Sequence, residues 1–183
     1  VINKKNSMVI SAKYLSLQKE LHGNPNYGTA SIYYAPLVIE VANNIKAKSI
    51  SDYGAGKKRL QKQMSELGKS DFNYYPYDPV FPEYGKPREA DLVCCIDVLE
   101  HIEPFYLTNV LEDLARITTT FGFFTIHTGP AIKSLSDGRN AHLIQKPSSW
   151  WLQKLCLYFE ILHLQRSSGG FWVMTEQQNQ EHL

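Results

Sequence analysis

Neither sign of charge is in excess in this sequence: 19 Lys and Arg stand against 18 Asp and Glu, a net charge of +1. That balance argues against a protein built mainly to hold polyanions, so no nucleic-acid partner is expected. Cysteine is scarce, and Cys94, Cys95 and Cys156 form neither a disulfide framework nor a metal-binding spacing. The adjacent pair lies in an apolar run, where a free thiol serves as a small hydrophobe, and a reducing compartment is expected. No apolar run is long enough to cross a bilayer, and the opening VINKKNSMVI lacks a signal-peptide core. A cytoplasmic protein with no membrane partner is the expectation. Repeats and low-complexity tracts are missing as well, so the organisation has to come from hydrophobic periodicity.

The periodicity is there to be read. A chain of 183 residues with 43% hydrophobic content can bury the core of one domain, taken here as residues 1–183 with a helical segment over 1–47 and a core over 48–175. Residues 10–21 predict a short helix, and Tyr34, Leu37, Val38, Val41 and Ile45 mark one face of another over 30–47. KSISDYG reads as a strand, followed by a helix with Leu60, Met64 and Leu67 inward and Gly68 as its stop. The cluster Lys57, Lys58, Arg59 and Lys62 reads as the solvated face of that helix. DFNYYPYD predicts a strand in which Pro76 requires an edge or a bulge. ADLVCCID is a continuous apolar run, as a strand covered on both faces requires.

Pro104 opens a helix striped by Leu107, Val110, Leu111, Leu114 and Ile117, and FGFFTIH is a further buried strand. Residues 128–146 show no period, and so long a connection inside a compact domain is commonly functional. A helix from Pro147 and a two-strand hairpin complete the chain. Strands alternating with helices predict an α/β fold with a doubly wound, mostly parallel sheet.

Ligands of such sheets sit at the carboxyl ends of the strands, which directs attention to SISDYGAGKKRL at residues 49–60. Lys58 stands where a phosphate-gripping G-x-x-x-x-G-K-[ST] loop needs Ser or Thr, and Arg59 replaces the third glycine of G-x-G-x-x-G. Asp52, two residues before Gly54, repels a pyrophosphate and suits a cationic ligand. Asp78 ends the next strand, placed to accept from ribose hydroxyls, and Asp97 ends the one after. Each alone reads equally well as a strand-end turn or helix cap, but three around one glycine turn point to a shared ligand.

DYGAGKKRL, YYPYDP and ADLVCCIDVLEHI together resemble the motifs of class I S-adenosylmethionine-dependent methyltransferases of the small-molecule type. The resemblance implies a Rossmann-like sheet closed by a C-terminal antiparallel hairpin, with S-adenosylmethionine across the strand ends and a small-molecule acceptor beside it. It implies that Gly54 and Gly56 let the backbone approach the cofactor, that Asp52 lies near its methionine end, and that Asp78, with Pro79 following, takes the ribose. Asp97, Val98 and Leu99 are implied to line the pocket beside the methionine portion. The family commonly carries a glycine where Lys58 stands, and a helix and strand where only residues 79–90 are available. The third strand is therefore expected to be missing or vestigial, with Phe81 a candidate wall for the adenine.

Alignment of acceptor and methyl group supplies much of the rate of such a transfer, and an acceptor hydroxyl or ammonium also needs a base, for which histidine is suited. His101, His127 and His142 come from three segments and are read as the catalytic candidates, each individually open to a structural role. Arg139, Asn140 and Tyr34 are the candidate acceptor contacts, and Trp150 and Trp151 a candidate floor. A His–Asp–His metal set at Asp97, His101 and His127 has no diagnostic spacing, and no metal is assigned. The absence of G-x-S-x-G argues against a serine hydrolase. Two rival readings stay open at this point: a nicotinamide-dependent oxidoreductase, and a domain that keeps the fold but only binds.

Overall fold

The computed structural model describes residues 8–178; the opening VINKKNS and the last five positions of the 1–183 domain assignment lie outside the described residues. Six strands form one sheet: β1 (Ser49–Tyr53), β2 (Asn73–Tyr77), β3 (Ala90–Ile96), β4 (Thr118–His127), β5 (Phe159–Ser167) and β6 (Gly170–Gln177). Their spatial order is β2-β1-β3-β4-β6-β5. The first four run parallel, and β6 returns antiparallel between β4 and β5 as the expected terminal hairpin. Pro76 sits on β2, which is an edge strand and so spares a ladder hydrogen bond. Residues 78–89 hold only a short 3-10 turn at Pro82–Tyr84, so among the described residues no strand lies there, as the sequence predicts, and β2 is left as the edge.

Period-two alternation along β3 divides the core. Leu92, Cys94 and Ile96 face α2 (Ala30–Asn44) and α3 (Arg59–Glu66), while Val93 and Cys95 face α4 (Leu107–Ile117) and α5 (Ser148–Leu155). Both cysteines are fully buried as small hydrophobes. The whole predicted α4 stripe is buried, each side chain contributing roughly 1.5–3 kcal/mol relative to exposure. In α2 the centre of the stripe is Ala35, Val38 and Ala42, with Tyr34, Leu37, Val41 and Ile45 along its flanks. Leu67 is 48% exposed rather than inward, because α3 closes at Glu66 and the chain turns outward at Gly68, φ +76°.

Helix α1 (Ala12–Gly23) does not join either layer. Its Tyr14 and Leu17 pack with Leu135 of the long connection, forming a separate small core. Ser11 caps α1 and also binds Glu103, Oγ to Oε1 and N to Oε2 at 2.8 Å each. This helix and the 128–146 connection together roof the carboxyl end of the sheet. No helix of the described residues is long and apolar enough to cross a membrane.

Candidate active site at the strand ends

Between β1 and β3 the chain reverses its winding direction, which opens a crevice at the carboxyl ends of the strands. A cavity of about 480 Å³ occupies it, walled by Asp52, Gly54, Gly56, Asp78, Pro79, Asp97, Val98, His101, His127 and His142 among others. Its size falls within the range of small-molecule sites.

The turn after β1 is held open by glycine. Gly54 has φ +83°, and a Cβ there would collide with Val98. Gly56, φ +48°, donates its N–H to Asp78 Oδ2 at 3.0 Å. The N–H of Val80 goes to Asp78 Oδ1 at 2.8 Å, so both oxygens are oriented and each keeps a lone pair. Burial pushes the Asp78 carboxyl upward against those two hydrogen bonds. Lys58 takes the left-handed conformation, φ 55°, that the third glycine of the resembled motif would adopt freely. The basic cluster is more than a solvated face: Lys57 Nζ donates to Asn24 O at 2.5 Å and Arg59 binds Pro25 O, fastening residues 24–28 to the turn.

Asp52 is fully enclosed, with the Tyr74 hydroxyl donating to its Oδ2. Burial raises its pKa to about 7, the Tyr74 bond opposing and the Asp78 charge adding to the rise. A cation brought alongside would restore its ionised form. Asp97 ends β3 in a left-handed conformation, φ 58°, with its N–H on Thr125 Oγ1 at 2.9 Å.

The three histidines converge as the sequence suggested. His142 lies edge-on to His101 with ring centroids 4.6 Å apart, and 4.9 Å from His127. His101 Nδ1 donates to Ala141 O at 2.8 Å and His142 Nδ1 to Gly129 O at 2.7 Å; a carbonyl can only accept, so both Nε2 atoms carry the lone pair when neutral. Burial lowers the His101 pKa to about 4, Asp97 opposing and His142 adding to the fall. The ring of His127 stands against Gly169, whose lack of a side chain makes the space. Glu100 accepts the N–H of His127 at 2.6 Å and so orients the end of β4.

Several expected contacts lie elsewhere. Tyr34 faces the sheet and packs edge-on against Phe123 at 6.0 Å, outside the cavity wall. Arg139 points outward to Asp137 at 2.8 Å, because the Asp-Gly turn between them closes locally. Asn140 spends its amide on the loop, accepting from Ala131 N and His142 N at 2.9 Å and donating to Ala131 O at 2.8 Å; it positions His142 without lining the cavity. Leu99 is fully buried core beneath the wall. Trp151 is buried with α4 and Trp150 packs beside it, away from the cavity. Phe81 stacks on Tyr84 at 5.3 Å, leaving Pro79 and Val80 as that wall.

Tyr14, Gln18, His22, Tyr27 and Lys133 line the cavity although the sequence reading gave them no role. Tyr14 donates its hydroxyl to His101 O at 2.7 Å, and Gln18 donates to Tyr14 at 2.6 Å. Lys133 Nζ is buried without a hydrogen-bond partner. The only sequence signal for this roof is the apolar pairing of Tyr14 and Leu17 on a helix that has no sheet to cover.

The sequence matches no protein-family model and no curated protein. Solved structures do match. Burkholderia thailandensis 1,6-didemethyltoxoflavin-N1-methyltransferase, with 1,6-didemethyltoxoflavin and S-adenosylhomocysteine (SAH) bound, is similar at 13% identity and TM-score 0.62, over 96% of this chain and 93% of that one. The DhpI–SAH complex is similar at 14% identity and TM-score 0.55, over 94% and 100%. Magnesium protoporphyrin IX methyltransferase from Synechocystis PCC 6803, with SAH bound, gives 13% identity and TM-score 0.51, over 90% and 94%. The chain thus has the Rossmann-like fold of class I S-adenosylmethionine-dependent methyltransferases, with the sheet ending at β2 on one side.

Proposed function

We propose that this chain is an S-adenosylmethionine-dependent methyltransferase acting on an oxygen or nitrogen of a small-molecule acceptor. The observation that carries the reading is the meeting of Asp52, Asp78 and Asp97 with the Gly54–Gly56 turn on one cavity of about 480 Å³. A cationic, phosphate-free nucleoside matches that wall in charge, whereas a dinucleotide pyrophosphate meets carboxylates where it needs N–H donors. The shared fold with three SAH-bound methyltransferases supports the same reading.

In this reading Gly54 and Gly56 give the cofactor backbone access, Asp52 faces its methionine end, and Asp78 with Pro79 holds the ribose. Asp97 and Val98 bound the reacting end. When bound, the cofactor supplies a methyl group activated on a positively charged sulfur. The acceptor lies against His101, His127 and His142, whose rings fix its attacking atom in line with that methyl group. The bare Nε2 atoms of His101 and His142 accept a hydrogen bond, and His142 takes the departing proton of a hydroxyl or ammonium acceptor. Tyr14, Tyr27 and the 128–146 connection exclude water from above. Free thiols at Cys94, Cys95 and Cys156 agree with a reducing, cytoplasmic setting.

Calorimetry with SAH tests the reading. Wild type takes up one molecule per chain and Asp78→Asn binds it about ten- to hundredfold more weakly, the loss expected for a hydrogen-bonded charge. Equal affinity in the two proteins contradicts the assignment, and NAD binding without SAH binding favours the oxidoreductase alternative.

A further inference from the structure

Beneath the acceptor end of the cavity, Asp97, Glu100 and His142 come together from the end of β3, the turn that follows it and the long connection. One ligand atom from each lies within 4.8 Å of the others. Glu100 is completely buried, and while its Oε1 accepts from His127, its Oε2 has no hydrogen-bond partner. No ion pair among the described residues involves Asp97 or Glu100. An enclosed Glu100 carboxyl thus stands beside the half-buried Asp97 carboxyl with no cationic side chain paired to either, an arrangement that burial of the first and mutual repulsion both disfavour.

The third member is prepared for a cation. His142 is committed through Nδ1–H to the Gly129 carbonyl, which fixes the ring and leaves Nε2 as a lone pair. Asn140 holds the His142 backbone in turn. We propose that Asp97, Glu100 and His142 bind a divalent first-row metal ion, of which Mn²⁺ is the natural probe because the donors are two carboxylate oxygens and one imidazole nitrogen. The ion supplies the countercharge that Glu100 Oε2 lacks.

The site stands on this donor geometry alone; what it implies for catalysis rests on the methyltransferase reading. There, an ion at the acceptor end selects an oxygen acceptor with a hydroxyl able to enter its coordination sphere and polarises that hydroxyl. In that case the metal would occupy His142 Nε2 and replace it as the means of ionising the acceptor, whose hydroxyl proton leaves to solvent.

The test uses the chain stripped of metal with a chelator and then desalted, titrated with Mn²⁺ and followed by the paramagnetic resonance signal of the free ion. One ion per chain is expected, with affinity falling more than about tenfold in Glu100→Gln and in His142→Gln. Glu100→Gln keeps an oxygen for the His127 N–H, and circular dichroism of each variant verifies folding. SAH affinity is measured in parallel on the metal-free protein. No uptake by wild type at millimolar Mn²⁺ overturns the proposal by showing that the two carboxyls merely share a proton; undiminished uptake in both folded variants overturns the ligand set. Mn²⁺ uptake without SAH binding leaves the cation site standing and removes the methyltransferase reading, and the reverse result removes the cation site alone.

Discussion

Asp52 converts the proposed electrostatics into a pH dependence. Its carboxyl lies under the glycine turn, facing Tyr74 of β2, Cys94 of β3 and the Asp78 carboxyl beyond. With burial raising its pKa to about 7, Asp52 is about half protonated at pH 7 in the ligand-free protein. The ammonium at the methionine end of the ligand favours the ionised form, so binding expels the proton. Affinity for SAH is therefore level from about pH 8 up to the pH at which the ligand's own amine deprotonates, and falls about tenfold per unit below about pH 6, or roughly 1.4 kcal/mol for each unit. Calorimetry at pH 7 in two buffers of different ionisation heat reads the release directly, at about half a proton per chain. In Asp52→Asn both the release and the slope vanish, and the high-pH affinity drops. A wild-type affinity independent of pH, or a slope that survives in Asp52→Asn, refutes the reasoning.

The same group shapes stability in the opposite sense. A carboxyl raised in the fold keeps its proton longer there than in the unfolded chain, so its contribution is complete below about pH 4 and lost as pH rises through about 7. Thermal denaturation without ligand shows that decline, and Asp52→Asn flattens it. His22, lowered to about 4 by burial and the Lys57 charge, costs stability as pH falls from about 6.5 towards 4, so His22→Gln leaves the melting temperature unchanged above about pH 7 and raises it below about pH 6. Gly54→Ala and Gly68→Ala separate strain from collision: both positions have positive φ, but only at Gly54 would the Cβ strike Val98. Gly68→Ala costs about 1–2 kcal/mol and Gly54→Ala about 1–3 kcal/mol more, part of which Val98→Ala restores, as urea denaturation reports. His127→Ala leaves SAH affinity within about twofold and lowers turnover, which single-turnover kinetics resolves from binding.

The sheet was readable because β3 and α4 advertise their surroundings locally. ADLVCCI is apolar throughout since both its faces are covered, and the α4 stripe repeats at helical spacing because one face is. Pro76 and the shortness of residues 78–89 likewise marked the edge at β2, since a missing strand removes residues from the sequence itself. The roof was not readable. α1 buries its aromatic face against a connection with no period, so nothing in the spacing of Tyr14 or Tyr27 connects them to a ligand. Arg139 and Asn140 carry side chains suited to binding, but a two-residue Asp-Gly turn and an adjacent loop backbone satisfy them first. The Asp97, Glu100 and His142 cluster was not readable for a related reason. Asp97, Glu100 and His101 are neighbours in the motif, whereas fixing Nδ1 of His142 and bringing it beside Glu100 are tertiary events.

The claim on which the rest depends is that the strand-end cavity admits a positively charged, phosphate-free nucleoside. Calorimetric titration of the purified chain with S-adenosylmethionine at about pH 8, where Asp52 is ionised, measures it most directly. One molecule per chain, displaced by SAH and about ten- to hundredfold weaker in Asp78→Asn, is the predicted result. No binding heat at millimolar ligand, in a protein whose folding is verified, contradicts it.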